Sequence, residues 1–153
     1  MSSTQIRLDD IYGRSYFMEY VRLGDALPGL PGVYVAFRAD WTKGLFPMPS
    51  VVYPIYVGRA DDLNDRAGMN IDRHHRFWDL RRHGATHVAY LHCGGFLGAG
   101  DQAAKIERDL YDRYEPLLIN EVRPGRNALA EMLDPQPRSI SGGLAAAMRG
   151  WTS

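Results

Sequence analysis

The sequence predicts a mixed α/β domain of the α+β kind, in which a small three-stranded sheet is flanked by helices. Three observations carry this. Residues 33–37, 51–57 and 86–93 are rich in Val, Ile, Tyr and Phe and alternate at the two-residue period of strands. Residues 61–67, 72–82 and 101–114 carry helical signals, with an Asp near the start and Gly or Pro at the stop. Between the second strand and the first of these helices, Tyr56-Val57-Gly58 hands the chain over through a glycine, with Tyr56 before the turn and Arg66 two helical turns after it. A chain of 153 residues holds one domain with a core of its own, read here as residues 31–122, with an N-terminal extension (1–30) and a C-terminal one (123–153).

Taken in order, residues 1–30 hold a short helix around Tyr16-Phe17-Met18-Glu19-Tyr20-Val21 that ends near Gly24 and packs on the domain. The first strand puts Val33, Val35 and Phe37 on one face and Tyr34 and Ala36 on the other. Residues 38–50 form a connection longer than a hairpin needs, which reads equally as a working loop carrying Lys43 or as a solvated excursion. The second strand sets Val51, Tyr53, Ile55 and Val57 against Val52, Pro54 and Tyr56, and Pro54, which has no N–H, requires an exposed edge or a bulge there. If the Val/Ile/Phe faces pack on the core, Tyr34 and Tyr56 emerge together on the opposite face. Asp61 or Asp62 caps the first helix and Gly68 ends it. The second runs from about Asp72 to Arg82, with Phe77, Trp78 and Leu80 as its apolar side and Gly84 as its stop. The third strand sets Val88 and Tyr90 against Ala89 and Leu91. Asp101 caps the last helix, Pro116 stops it, and 117–120 return to the core as an extended tail. Beyond Asn120, 127–133 and 144–149 read as short helical pieces of an extension that packs back or meets a protein partner or a second copy.

Composition narrows the function classes. Lys plus Arg equals Asp plus Glu at 18 each, so no global positive field draws the chain to nucleic acid. Of the cations only Lys43 and Lys105 are lysines; the rest are arginines, whose planar fork suits phosphate, although base composition of the genome accounts for the bias equally well. The single cysteine, Cys93, rules out an intramolecular disulfide and a cysteine zinc site, and reads as a small buried apolar residue. No apolar run approaches the roughly 20 residues of a membrane helix, and the N-terminus has no apolar signal-peptide core. A cytoplasmic protein with no membrane contact is the expectation.

Glu107 is the most telling single residue. On the last helix Ala103, Ile106, Leu110 and Tyr114 form one stripe, and Glu107 falls inside it, whereas Lys105, Arg108, Asp109 and Asp112 fall on the far side. An inward carboxylate must be paired, hydrogen-bonded or metal-bound, because an isolated buried charge is costly. Read alone, it fits an ion pair with an arginine such as Arg66 better than a metal ligand. His74 precedes Phe77 and Trp78 at helical spacing and is as readily a packed side chain as a phosphate contact.

Gly32-Val33-Tyr34 on one strand, Tyr56-Val57-Gly58 on the next, Arg66 ten residues after Tyr56, Glu107 on a later helix and Asn120 closing the domain together resemble the GIY-YIG nuclease superfamily over about residues 32–120. The resemblance implies a three-stranded antiparallel sheet and hydrolysis of phosphodiester bonds with one divalent ion, Mg²⁺ or Mn²⁺. Many members carry a histidine one turn after the arginine; here that position is Asn70, and His74 and His75 follow one turn later. Arg59 stands where a small polar residue is common.

The roles the resemblance implies fit the chemistry. Glu107 is the metal ligand, and Arg66 holds the scissile phosphate and offsets charge in the transition state. Tyr34 orients or deprotonates the attacking water, Tyr56 supports that hydrogen bonding and Asn120 orients other groups. Arg59, Lys43 and His74 are candidate substrate contacts. DNA is the expected substrate, with RNA left open. A competing reading keeps the fold as a nucleic-acid-binding or protein-interaction module without turnover.

Overall fold

The structure, a computed structural model, describes residues 5–93 and 99–120. Five strands, β1 (Gln5–Asp9), β2 (Ser15–Arg22), β3 (Gly32–Trp41), β4 (Pro49–Ala60) and β5 (His87–His92), form one sheet in the order β1-β2-β5-β3-β4. Every neighbouring pair is antiparallel. Three helices flank it, α1 (Leu63–Ala67), α2 (Phe77–Arg82) and α3 (Ala99–Tyr114), with 3₁₀ turns at Ile71–Arg73 and Glu115–Leu117. The fold class is α+β, as the sequence implies. The three strands read from the sequence lie side by side as β5, β3 and β4, and the chain before them adds two more.

That addition corrects the expected N-terminal helix. Residues 16–21 are part of β2, with Met18 fully buried and Tyr16 and Tyr20 packed beside it, while Phe17 and Glu19 are exposed, which is the period of a strand. The β1–β2 turn is fixed by Asp10, whose Oδ1 accepts the N–H groups of Tyr12 (2.8 Å) and Arg14 (3.0 Å), and by Gly13 at φ 82°. Burial pushes the Asp10 carboxyl up, but the backbone N–H groups of Arg14 and Tyr12 and the Arg14 side chain outweigh it and hold it low. Arg14 also bonds Asp109 of α3 at 2.9 Å. Asp109 was expected on the solvent side of α3; it is buried because the β1–β2 turn packs over that part of the helix, with the Ile11 N–H donating to its carbonyl.

Helices cover both faces of the sheet. Val33, Val35, Phe37 and Val57 pack under α3 with Ala103, Ile106 and Leu110. Tyr34, Ala36 and Val88 pack under α1 and α2 with Leu63, Ala67, Ile71 and Leu80. The alternation expected for β3 and β5 holds on this division. In β4 it holds only as far as Tyr56. The ladder runs from Ala36↔Tyr56 directly to Phe37↔Pro54, so Ile55 is the extra residue of a bulge and joins Tyr56 under α1 and α2. Val52, not Val51, then faces the core. Pro54 sits at this irregularity on the edge strand, where its missing N–H costs no ladder bond.

Three further expectations change. The 38–50 connection is a hairpin tip of residues 42–48, because β3 and β4 run on to Trp41 and Pro49. The helix expected from Asp72 to Arg82 is a 3₁₀ turn and a separate α2, interrupted at His74, which is extended (φ −63°, ψ 135°). Trp78, expected on the apolar side of that helix, is 73% exposed, while Leu80 is buried. At α1 the expectation stands: Asp62 is the N-cap, accepting the Asp65 N–H at 3.0 Å, and Gly68 ends the helix. α3 begins two residues before Asp101 and gives way to the turn containing Pro116. The helical pieces expected at 127–133 and 144–149, and the partner contacts of the C-terminal extension, lie outside the described residues. Among the described residues no helix is long and apolar enough to cross a membrane.

Candidate functional site

The site is built on two cross-strand neighbours. Tyr34 of β3 lies opposite Gly58 of β4, and its phenol leans over that glycine: a Cβ at Gly58 would stand 2.5 Å from Tyr34 Cζ and Oη. Gly32, two residues before Tyr34, is packed with equal economy, since a Cβ there would collide with the Leu91 carbonyl oxygen. Both glycines of the paired triplets are therefore explained by close approach. Tyr56 lies two residues before Gly58 on the same face, and its ring stacks on Tyr34 with centroids 6.1 Å apart and planes inclined by 22°.

The segment between the 3₁₀ turn and α2 closes over this pair. His74 is buried, and its Nε2 lies 2.8 Å from the Tyr34 hydroxyl. Its ring meets Tyr56 edge-on at 5.1 Å and stacks on His75 at 4.7 Å. The His74 Nδ1 accepts the Arg76 backbone N–H at 3.0 Å, and that local bond accounts for the break in the helix. Arg66, exposed on α1, directs its guanidinium to the same place, with one nitrogen 3.5 Å from His75 Nδ1 and its charge felt at the Tyr34 phenol.

Electrostatics follow from burial. Tyr34 is pushed far above the ordinary phenol range by burial and by Tyr56, against the pull of Arg66. Tyr56 is raised less, burial again leading and Arg66 opposing. His74 is pulled down to about 4 by burial and then by Arg66, so its ring is neutral at pH 7. Glu107 is pushed up to about 7 by burial, with the Arg59 charge and backbone N–H pulling the other way.

Glu107 reaches the site from α3, the opposite side of the sheet, and its charge is felt at both phenols. Its ion-pair partner is Arg59, not Arg66, and the contact is long at 3.7 Å. Glu107 is 8% exposed and thus buried beside a cation that does not grip it closely. Asn120 closes the same end of β4. Its amide spans Val57, with Oδ1 accepting the N–H at 3.2 Å and Nδ2 donating to the carbonyl at 2.8 Å, while the Ile119 N–H donates to the Ile55 carbonyl. Asn120 thereby fixes the backbone between Tyr56 and Gly58.

Seven of the eight candidate residues therefore lie around one end of β4: Tyr34, Tyr56, Arg66, His74, Glu107, Arg59 and Asn120. Lys43 does not. It is exposed on the hairpin tip, at the opposite end of β3 from Tyr34. Arg76 was missed. It donates to the Ile119 carbonyl at 2.9 Å and pairs with Asp79 at 3.0 Å, tying the His74 segment to the tail that carries Asn120. Its i,i+3 spacing to Asp79 was the available signal.

A divalent ion could be held here by one protein ligand. Among the described residues no three His, Cys, Asp or Glu side chains converge. Glu107 alone suits Mg²⁺, which keeps waters and takes substrate phosphate oxygens beside one or two carboxylates. A surface depression of about 450 Å³ lined by Tyr12, Arg14, Lys105, Arg108 and Asp109 lies apart from the cluster. No family model, curated protein or solved structure matches this chain.

Proposed function

We propose that the chain is a metal-dependent endonuclease of GIY-YIG type, hydrolysing phosphodiester bonds of nucleic acid, DNA ahead of RNA. One observation carries this reading: two stacked tyrosines, an exposed arginine and a buried, loosely paired carboxylate gather at one end of one strand. The placement of Gly32-Val33-Tyr34 on β3 and Tyr56-Val57-Gly58 on the neighbouring β4, followed by α1 with Arg66, supports the family resemblance.

Each group has a task suited to its surroundings. Arg66 is exposed and presents a planar fork, so it binds two oxygens of a phosphate and offsets charge that grows in the transition state. The burial that raises Tyr34 and Tyr56 keeps both phenols protonated at neutral pH, so they orient a water by hydrogen bonding. Release of a proton there needs the cationic neighbourhood to strengthen when substrate binds. Glu107 would hold one Mg²⁺ or Mn²⁺, exchanging a costly buried charge for a ligand bond. When bound, that ion supplies Lewis-acid stabilisation of phosphate and leaving oxygens. Asn120 holds Val57, and through it the spacing of Tyr56 from Gly58. Arg59 compensates Glu107 and lies at hand for a second phosphate.

Nicking of supercoiled plasmid tests this. Cleavage is expected with Mg²⁺ and absent in excess EDTA, and Glu107→Ala should be inactive but folded. Undiminished cleavage in EDTA rejects the metal role. Binding without cleavage under every metal condition favours a silent binding module.

A further inference from the structure

His74 is held by bonds at both ring nitrogens, and the two bonds are not equivalent. A backbone N–H is always a donor, so the contact from the Arg76 N–H at 3.0 Å requires an unprotonated Nδ1. A neutral imidazole carries its one proton on the other nitrogen. Nε2, 2.8 Å from the Tyr34 oxygen, is then a donor, and the Tyr34 oxygen accepts.

Resting on the nuclease reading above, we propose that His74 is a positioning residue, fixed by the Arg76 backbone as the Nε2-protonated tautomer, which donates to Tyr34 and cannot take its proton. The Tyr34 hydrogen is thereby turned away from His74. The remaining surroundings leave it the side occupied by Tyr56 and Arg66, and Arg66 is a donor only, so the hydrogen faces the Tyr56 side. Tyr34, buried at 1% exposure, is in consequence an inner member of a directed chain, and the half-buried Tyr56 is the phenol nearer to incoming water. If Tyr34 ionises during the reaction, the Nε2–H and Arg66 both stabilise the phenolate, and the proton leaves on the Tyr56 side. Low intrinsic basicity of the buried ring agrees with this assignment, since nothing in it favours the doubly protonated form.

The first test does not depend on activity. Long-range ¹H–¹⁵N correlation spectra of the full chain, with His74 assigned by loss of its signals in His74→Gln, distinguish the tautomers. The expected pattern is neutral and Nε2-protonated at neutral pH. An Nδ1-protonated or doubly protonated ring overturns the proposal whatever the chain does to DNA.

The second test separates the Tyr34 contact from a purely structural role. His74→Gln puts an amide donor where Nε2 stands, whereas His74→Asn keeps an acceptor for the Arg76 N–H and cannot reach Tyr34. Gln should retain kcat within about threefold, and Asn should lose at least about tenfold in kcat with KM little changed. Equal kcat values for the two folded variants would overturn the proposal. If wild type shows no cleavage but the spectra show the Nε2–H tautomer, the nuclease reading fails while the geometric assignment stands.

Discussion

Replacing Glu107 with glutamine should stabilise the metal-free protein, and the gain should depend on pH in a stated direction. Burial moves this carboxyl from 4.5 to about 7 in the native state. At 1.36 kcal/mol for each pH unit, that displacement corresponds to roughly 3 kcal/mol of strain when the group is ionised in both states. Between about pH 4.5 and about pH 7 the native chain binds more protons than the unfolded one, so wild type loses stability as pH rises through this window. Glutamine keeps the shape but does not titrate. The variant's advantage should be small near pH 5 and reach at most ~3 kcal/mol near pH 8.5, a figure already net of the long Arg59 ion pair. Urea unfolding in EDTA at those two pH values measures it. Adding Mg²⁺ should narrow the gap by stabilising wild type alone. A Glu107→Gln variant less stable than wild type at pH 8.5 would refute the reasoning, and Glu107 would then be half of a stabilising ion pair.

Arg66→Lys keeps the charge and loses the fork, so kcat should fall by at least about tenfold with the larger share of the loss in turnover; near-normal rates would reduce Arg66 to a point charge. Gly58→Ala drives a methyl into the Tyr34 phenol and should cost about 1–3 kcal/mol in urea unfolding and lower cleavage; a stable, active variant would mean that Tyr34 need not lie where it does. Asp10→Ala strands two turn N–H groups and Arg14, and should cost roughly 1–3 kcal/mol at pH 7. Because Asp10 is held low, that cost should shrink as pH falls through its native pKa; a loss independent of pH would assign it to packing instead. DNA binding, measured by fluorescence anisotropy, should weaken steeply with salt, since a chain of zero net charge relies on the local arginines; tight binding at high salt would point to base contacts.

Much of the site geometry was legible because it depends on short-range rules. Alternation alone places Tyr34 with Ala36 and apart from Val33 and Val35, and helical spacing alone turns Glu107 inward. Both expectations concern faces of single elements, and packing did not override them. What escaped depends on contacts distant in sequence. Residues 16–21 contain residues suited to a helix or a strand, and pairing with β5 decides for the strand. Asp109 is solvent-facing on an isolated helix and becomes buried only because the β1–β2 turn docks there. Pro54 signalled an irregularity in β4, yet its consequence, that Ile55 changes face, depends on the register with β3. The break at His74 is a side chain competing with the helix for a backbone N–H, and nothing in the spacing of Phe77 and Trp78 reveals it.

The most direct measurement is the rate at which supercoiled plasmid is lost to equal amounts of folded wild type and folded Glu107→Gln in Mg²⁺, with wild type in EDTA alongside. Metal-dependent phosphodiester cleavage at this cluster predicts nicking by wild type in Mg²⁺ and none above background in the other two reactions. Equal nicking by Glu107→Gln, or nicking by wild type that persists in EDTA, would contradict it.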